Sequence, residues 1–186
     1  MSLHDQLRDI ALAEFASAGY AATSLQRIAD LAGTSKASVL YHYASKEQLL
    51  ADAMAPALDE LTAIVRGIGD VAADRGQRLA FLERFVDALL AHRQVVHLIV
   101  NQSATQQDVP AFARAQELMR ELAAAFELAA GSTVEKLRYG IALAGAAYTL
   151  AASDLLGLEG PPDEEVRPAL ITVMRELLAP APELKD

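Results

Sequence analysis

The sequence predicts an all-α protein, with a small N-terminal three-helix unit ahead of a larger helical body. Three observations carry this. Apolar residues recur at helical spacing in nearly every segment, as in Leu7, Ile10, Ala11, Phe15 and Ala18. Alternating β-branched runs are missing, while the strong helix formers alanine and leucine dominate. Ser or Thr followed three residues later by Glu or Gln recurs just ahead of these periodic stretches, which marks helix starts.

The elements follow in order. A first helix runs from Leu3 to Ala18 and stops at Gly19. Thr23 with Gln26 forms a capping box and opens a short helix from Ser24 to about Ala32. Gly33 ends it, and Thr34 or Ser35 caps the next, which runs to about Tyr43. Ser45 with Gln48 opens a long helix to Gly67 or Gly69, with a kink or adjustment expected at Pro56. Asp74 begins another, carrying Leu79, Leu82, Phe85, Val86 and Leu89 on one face. After a break near Ala91 to Arg93 comes an apolar helix through Val95 to Val100. Asp108 and Pro110 start the next, with Phe112, Ala115, Met119, Leu122 and Phe126, and Gly131 ends it. Ser132 with Glu135 opens a helix to about Leu156. Gly157, Gly160, Pro161 and Pro162 make a turn, Asp163 caps a last helix to about Leu178, and a tail with Pro180 and Pro182 is expected to fray.

Composition narrows the function classes. The chain has 186 residues, 53% apolar and 22% charged, which is a globular balance. It contains no cysteine, so disulfides, thiolate metal sites and cysteine nucleophiles are excluded. This fits a cytoplasmic protein. The first residues lack the apolar core of a signal peptide, and no apolar run reaches the roughly 18 residues of a membrane span. The net charge is −9, but it is unevenly spread. Up to Lys46 there are four basic and four acidic residues, and the remainder holds 12 basic and 21 acidic ones. A neutral head can set a few cations against phosphates, while the acidic body stays away from them.

Residues 24–43 hold two short helices separated by Gly33 and Thr34, the length and turn chemistry of a helix-turn-helix. Ile28, Ala29 and Ala32 can face Ile10, Phe15 and Val39 as a miniature core. The second helix then presents Lys36, Ala37, Ser38 and Tyr41 outward, with small residues at its start, as a helix entering the major groove requires. Lys46 and the caps Ser24 and Ser45 are placed to meet phosphates.

These residues resemble the tetracycline-repressor (TetR) family. The matching positions are Ile10 to Phe15, Gly19 and Tyr20, Thr23 and Ser24, Ile28 and Ala29, the unbroken run from Ala32 to Tyr43, and Ser45 to Leu50. The resemblance covers roughly a quarter of the chain. It implies an all-α homodimer that binds double-stranded DNA at a palindromic operator and is released by a small-molecule effector. It further implies a helix-turn-helix domain over 1–46 and a ligand-binding and dimerisation domain over 47–186. On these positions Ser24 and Arg27 are phosphate contacts, Thr34, Ser35, Lys36, Ala37 and Ser38 open the recognition helix, and Tyr41, His42 and Lys46 are backbone contacts. Leu40 departs from the pattern by standing where a phosphate-binding tyrosine is usual, and Tyr43 stands where phenylalanine is commoner.

The body suggests a dimer seam and a pocket. From Tyr139 to Ser153 no residue is charged, and a helix apolar all round must be buried on more than one side. Ala144, Ala147, Tyr148, Ala151 and Leu155, with Leu170, Val173 and Leu177 of the last helix, form the expected dimer interface. Pocket candidates are Phe85, Leu89, His97, Asn101, Phe112, Met119, Phe126, Tyr139 and Tyr148. His97 and Asn101, spaced i, i+4 on an apolar helix, need polar partners: a side chain, a water or a ligand.

Catalytic signatures are missing. There is no G-x-S-x-G elbow, Walker A loop or H-E-x-x-H helix, and His92 and His97 are poorly spaced for one metal. The expectation is a regulator, not an enzyme, without cofactor or metal and without a membrane partner. The alternatives are a helical small-molecule-binding or protein-interaction module, or a regulator that activates.

Overall fold

A computed structural model describes residues 2–67, 75–155 and 161–178. Among these residues the protein is all-helical, with α1 (Leu3–Ala18), α2 (Leu25–Leu31), α3 (Lys36–His42), α4 (Lys46–Arg66), α5 (Arg75–Ala91), α6 (Arg93–Gln102), α7 (Pro110–Ala129), α8 (Thr133–Leu155) and α9 (Asp163–Leu177). Asp74, Gly69, Leu156, Gly157, Gly160, Pro180 and Pro182 lie outside the described residues, as does the side chain of Leu155.

Helices α1–α3 form the head. Leu7, Ala11, Phe15, Ile28, Ala29 and Val39 are fully buried there, so one face of each short helix pays its ordering entropy by apolar burial. The expected boundary after Lys46 falls in the first turn of α4, which runs on into the body and packs against α1 and α7. Leu49, Leu50, Met54, Leu58 and Leu61 on α4 continue the head's core into that of the body. No loop separates the two, and α4 is unbroken through Pro56.

Helix starts differ in detail from the sequence expectation. Ser24, not Thr23, caps α2, and its hydroxyl accepts from Arg27 N at 3.1 Å. Thr23 is buried and donates its hydroxyl to Gly19 O at 2.9 Å, closing the preceding turn. At α4 and α8 the serine half of each box forms, but the Gln48 and Glu135 side chains reach one residue further back, to Ala44 N and Gly131 N. A full reciprocal box occurs at α1, between Ser2 and Asp5. Pro162, not Asp163, precedes α9, and Asp163 instead pairs with Arg93.

Helices α4–α9 make the body. α8 lies against α6 and α9, and α5 against α4 and α9. Arg167 of α9 grips Asp87 of α5 through two bonds of 2.5 and 2.9 Å.

Candidate nucleic-acid interface and ligand cavity

The geometry of α3 is built from its caps. Gly33 takes φ 65°, which lets Thr34 N reach back to Ala29 O at 2.9 Å and turn the chain sharply. Ser35 then caps α3 by accepting from Ser38 N at 3.1 Å. Val39 is buried and fixes the rotation of the helix. What remains outward is Ser35, Lys36, Ala37, Leu40 and Tyr41, with Thr34, Ser38 and His42 half-buried. Tyr41 is 87% exposed and Leu40 44%. Lys36 is the first residue of α3, where the helix dipole disfavours a cation. Its charge suits an external anion better than its own helix.

Two of the expected phosphate contacts have internal partners. Arg27 donates Nε to Glu14 at 3.0 Å. Lys46 donates to Tyr20 O and Thr23 O, both at 2.9 Å, and lies 4.2 Å from the centre of the Tyr20 ring. Its ammonium therefore ties the start of α4 to the turn between α1 and α2. Ser24 is exposed beside this turn.

Two buried phenols brace the head. Tyr43 shares its one hydroxyl proton between His4 O and Asp52, each at 3.2 Å, and Tyr20 donates to Glu47 at 3.2 Å. Burial, reinforced by the facing carboxylate, pushes both phenols well above their ordinary range. They stay neutral donors. This explains Tyr43 in place of phenylalanine: its hydroxyl has a double use inside the fold.

The body holds a cavity of about 350 Å³ between α4, α5, α6, α7 and α8, open to solvent where Met119, Ala123 and Gly140 are exposed. Of the expected pocket residues, Phe85, Leu89, Met119 and Phe126 line it. His97, Asn101, Phe112, Tyr139 and Tyr148 do not. His97 is buried and its Nδ1 meets Ala151 O at 3.2 Å, while Asn101 donates to His97 O at 3.0 Å. Both polar groups are thus satisfied by backbone. Phe112 sits edge-on to Tyr20 where the head meets the body, and Tyr139 stacks on Phe126 with centroids 4.6 Å apart. Val96, Ile99 and Val100 of α6 complete the wall, together with Leu122 and Leu143, none of them distinguishable in sequence from ordinary core. The two charged lining residues, Glu127 and Lys136, pair with one another.

An apolar stripe faces outward from α8. Leu137, Ile141 and Tyr148 are each close to 60% exposed, and Ala144 and Gly145 lie between them. Val173 of α9 is 52% exposed. Ala147, Leu170 and Leu177 are half-buried against the core. Ala151 departs from the expected interface: it is 1% exposed and faces α6 within the protomer, because its position on α8 turns it inward.

Residues 7–53 match the model of the family described as "Bacterial regulatory proteins, tetR family". The head belongs to the TetR family. Over 97 residues the chain is 37% identical to the HTH-type transcriptional repressor KstR2 of Mycobacterium tuberculosis, covering 51% of this chain and 48% of that protein. Against KstR2 of Mycolicibacterium smegmatis it is 32% identical over 113 residues, 60% of this chain and 55% of the relative. The aligned part thus spans about half the length of these curated relatives. The solved structure of the ketosteroid transcriptional regulator KstR2 of Mycobacterium tuberculosis superposes with a TM-score of 0.68 at 23% identity, covering 94% of both chains. The likeness of fold therefore extends from the TetR-family head through the helical body. Among the described residues no helix is long and apolar enough to cross a membrane.

Proposed function

We propose that this protein is a sequence-specific DNA-binding transcriptional regulator, a repressor released by a small, mostly apolar ligand, and not an enzyme. One observation carries the reading: α3 is capped, anchored by Val39, and turns Ser35, Lys36, Ala37 and Tyr41 to solvent on a TetR-family head. A helix so exposed fits the major groove with its N-terminal residues at base edges. Thr34, Ser35, Lys36, Ala37 and Ser38 read bases, and Ser24, Tyr41 and His42 meet the backbone. Arg27 joins them by leaving Glu14 for a phosphate.

The sense of regulation is supported by the curated relatives, which are named transcriptional repressors. The ligand class is supported by the cavity, whose lining is apolar except for the paired Glu127 and Lys136. The named relative is a ketosteroid regulator, and a ligand with a large apolar body suits these walls. Residues 1–46 serve DNA, and residues 47–186 serve ligand and dimer. The outward stripe of α8, with Val173 of α9, joins two protomers so that two heads span half-sites about 34 Å apart.

The test is selection of genomic DNA fragments by the purified protein at near-physiological salt, followed by sequencing. A few sites with an inverted repeat are expected. Lys36→Ala and Ser38→Ala should then shift the preferred sequence, and not merely lower all affinities. A folded dimer that retains nothing above background would overturn the reading.

A further inference from the structure

One side chain ties the break between α1 and α2 to a helix that lines the cavity. Gln102 is the last residue of α6. Its Oε1 accepts from Tyr20 N at 2.8 Å, and its Nε2 donates to Phe15 O at 3.1 Å. One amide thus closes both sides of the break between α1 and α2, across more than 80 residues of chain. On the same short helix, Val96, Ile99 and Val100 line the cavity. We propose that Gln102 is a positioning residue through which occupancy of the cavity changes the setting of the recognition helix. The proposal rests on the regulator reading for its meaning, but not for its test.

Hydrogen bonds weaken steeply with distance and angle. A shift of α6 by a fraction of an ångström therefore loosens both bonds together. The turn they hold is stiff on its other side. Thr23 bonds Gly19 O, Lys46 bonds Tyr20 O and Thr23 O, and Tyr20 bonds Glu47. Movement at Tyr20 is passed to the start of α2 and of α4, not absorbed. Finally, α6 is held elsewhere by α8, through His97 and Ala151 O, and by α7, where Gln116 donates to Ser103 O at 2.6 Å. An occupant that spreads α7 and α8 apart draws on α6 from that side, while Gln102 holds α1 on the other.

The chain has no cysteine, so an occupant can be tethered in the cavity. Ala123, exposed on α7 and lining the cavity, is replaced as Ala123→Cys and alkylated with monobromobimane. Hydrogen exchange of residues 16–23 is then followed with and without the label, in the Gln102 protein and in Gln102→Leu. The label should raise exchange of this segment in the Gln102 protein. In Gln102→Leu exchange should be high already and indifferent to the label, whereas Gln107→Leu should behave as the parent. If Gln102→Leu does not fold, Gln102→Glu replaces it, since it keeps the acceptor for Tyr20 N and loses the donor to Phe15 O. A label that leaves the segment unchanged in the Gln102 protein, or changes it equally in both, overturns the proposal. On a selected operator, the label should lower affinity at least about fivefold, and under about twofold once Gln102 is replaced. Failure to select any operator would count against the regulator reading alone, because the exchange measurement uses no DNA.

Discussion

At the scale of single residues, the same chemistry serves different ends according to its surroundings. Lys36 and Lys46 are both lysines at helix starts, where the dipole repels them. Lys36 points to solvent, and Lys46 is spent on two carbonyls and a ring. The expectation from sequence, that Lys46 neutralises a phosphate, is therefore replaced by a sharper one. Lys46→Ala should cost stability of about 1.5–3 kcal/mol, the range for a charge-assisted hydrogen bond, read as a lower denaturation midpoint. The slope of log affinity against log salt should stay unchanged. Lys36→Ala should leave stability nearly untouched and shift the preferred sequence. A reduced slope for Lys46→Ala at unchanged stability would restore the phosphate role.

At the scale of elements, two interactions set how the helices are held. The Asp87–Arg167 fork joins α5 to α9, and the Arg167 guanidinium holds the Asp87 carboxyl below its ordinary range. A depressed carboxylate contributes stability that is present above its unfolded pKa of about 3.9 and is lost as pH falls through the folded value. Asp87→Asn should therefore be less stable than the parent near neutral pH by about 0.2–1 kcal/mol, the range for an exposed pair. That gap should close as the pH is lowered below about 4. A gap independent of pH in denaturant titrations would show that the fork acts through shape and not charge. The second case is Pro56, inside α4 without breaking it. Pro56 cannot donate the bond to the carbonyl of Asp52, so Pro56→Ala should raise the thermal midpoint, with up to about 3 kcal/mol available. A lower midpoint would mean that the proline ring packs to advantage in that position.

At the scale of the whole molecule, the outward stripe of Leu137, Ile141, Ala144 and Tyr148 on α8 follows one helix face. Such a face exposed in a monomer is unusual, and the proposed pairing with a second copy would bury it. Ile141→Glu should leave helix content intact and convert a dimer to a monomer in sedimentation. Operator affinity should fall by about 10²–10⁴, because two heads then no longer share one effective concentration. A dimer that persists in Ile141→Glu would move the interface elsewhere on the body.

Much of this was legible in the residues because it is local. The turn at Gly33, the caps at Ser35 and Ser45 and the apolar periodicities act within one or two helical turns, so neighbours in sequence suffice to specify them. The in-register pattern of the head carried the family for the same reason. Even so, Thr23 leaves the capping of α2 to Ser24, since its hydroxyl is buried and bonded to Gly19 O. The remainder needed the packed fold. Whether Ala151 faces a partner or α6, whether His97 meets a ligand or a carbonyl, and which valines of α6 line a cavity depend on rotation about helix axes. Only long-range packing sets that rotation. Gln102 is the clearest case: nothing near it in sequence marks it out, because Phe15 and Tyr20 reach it only when α1 and α6 are brought side by side.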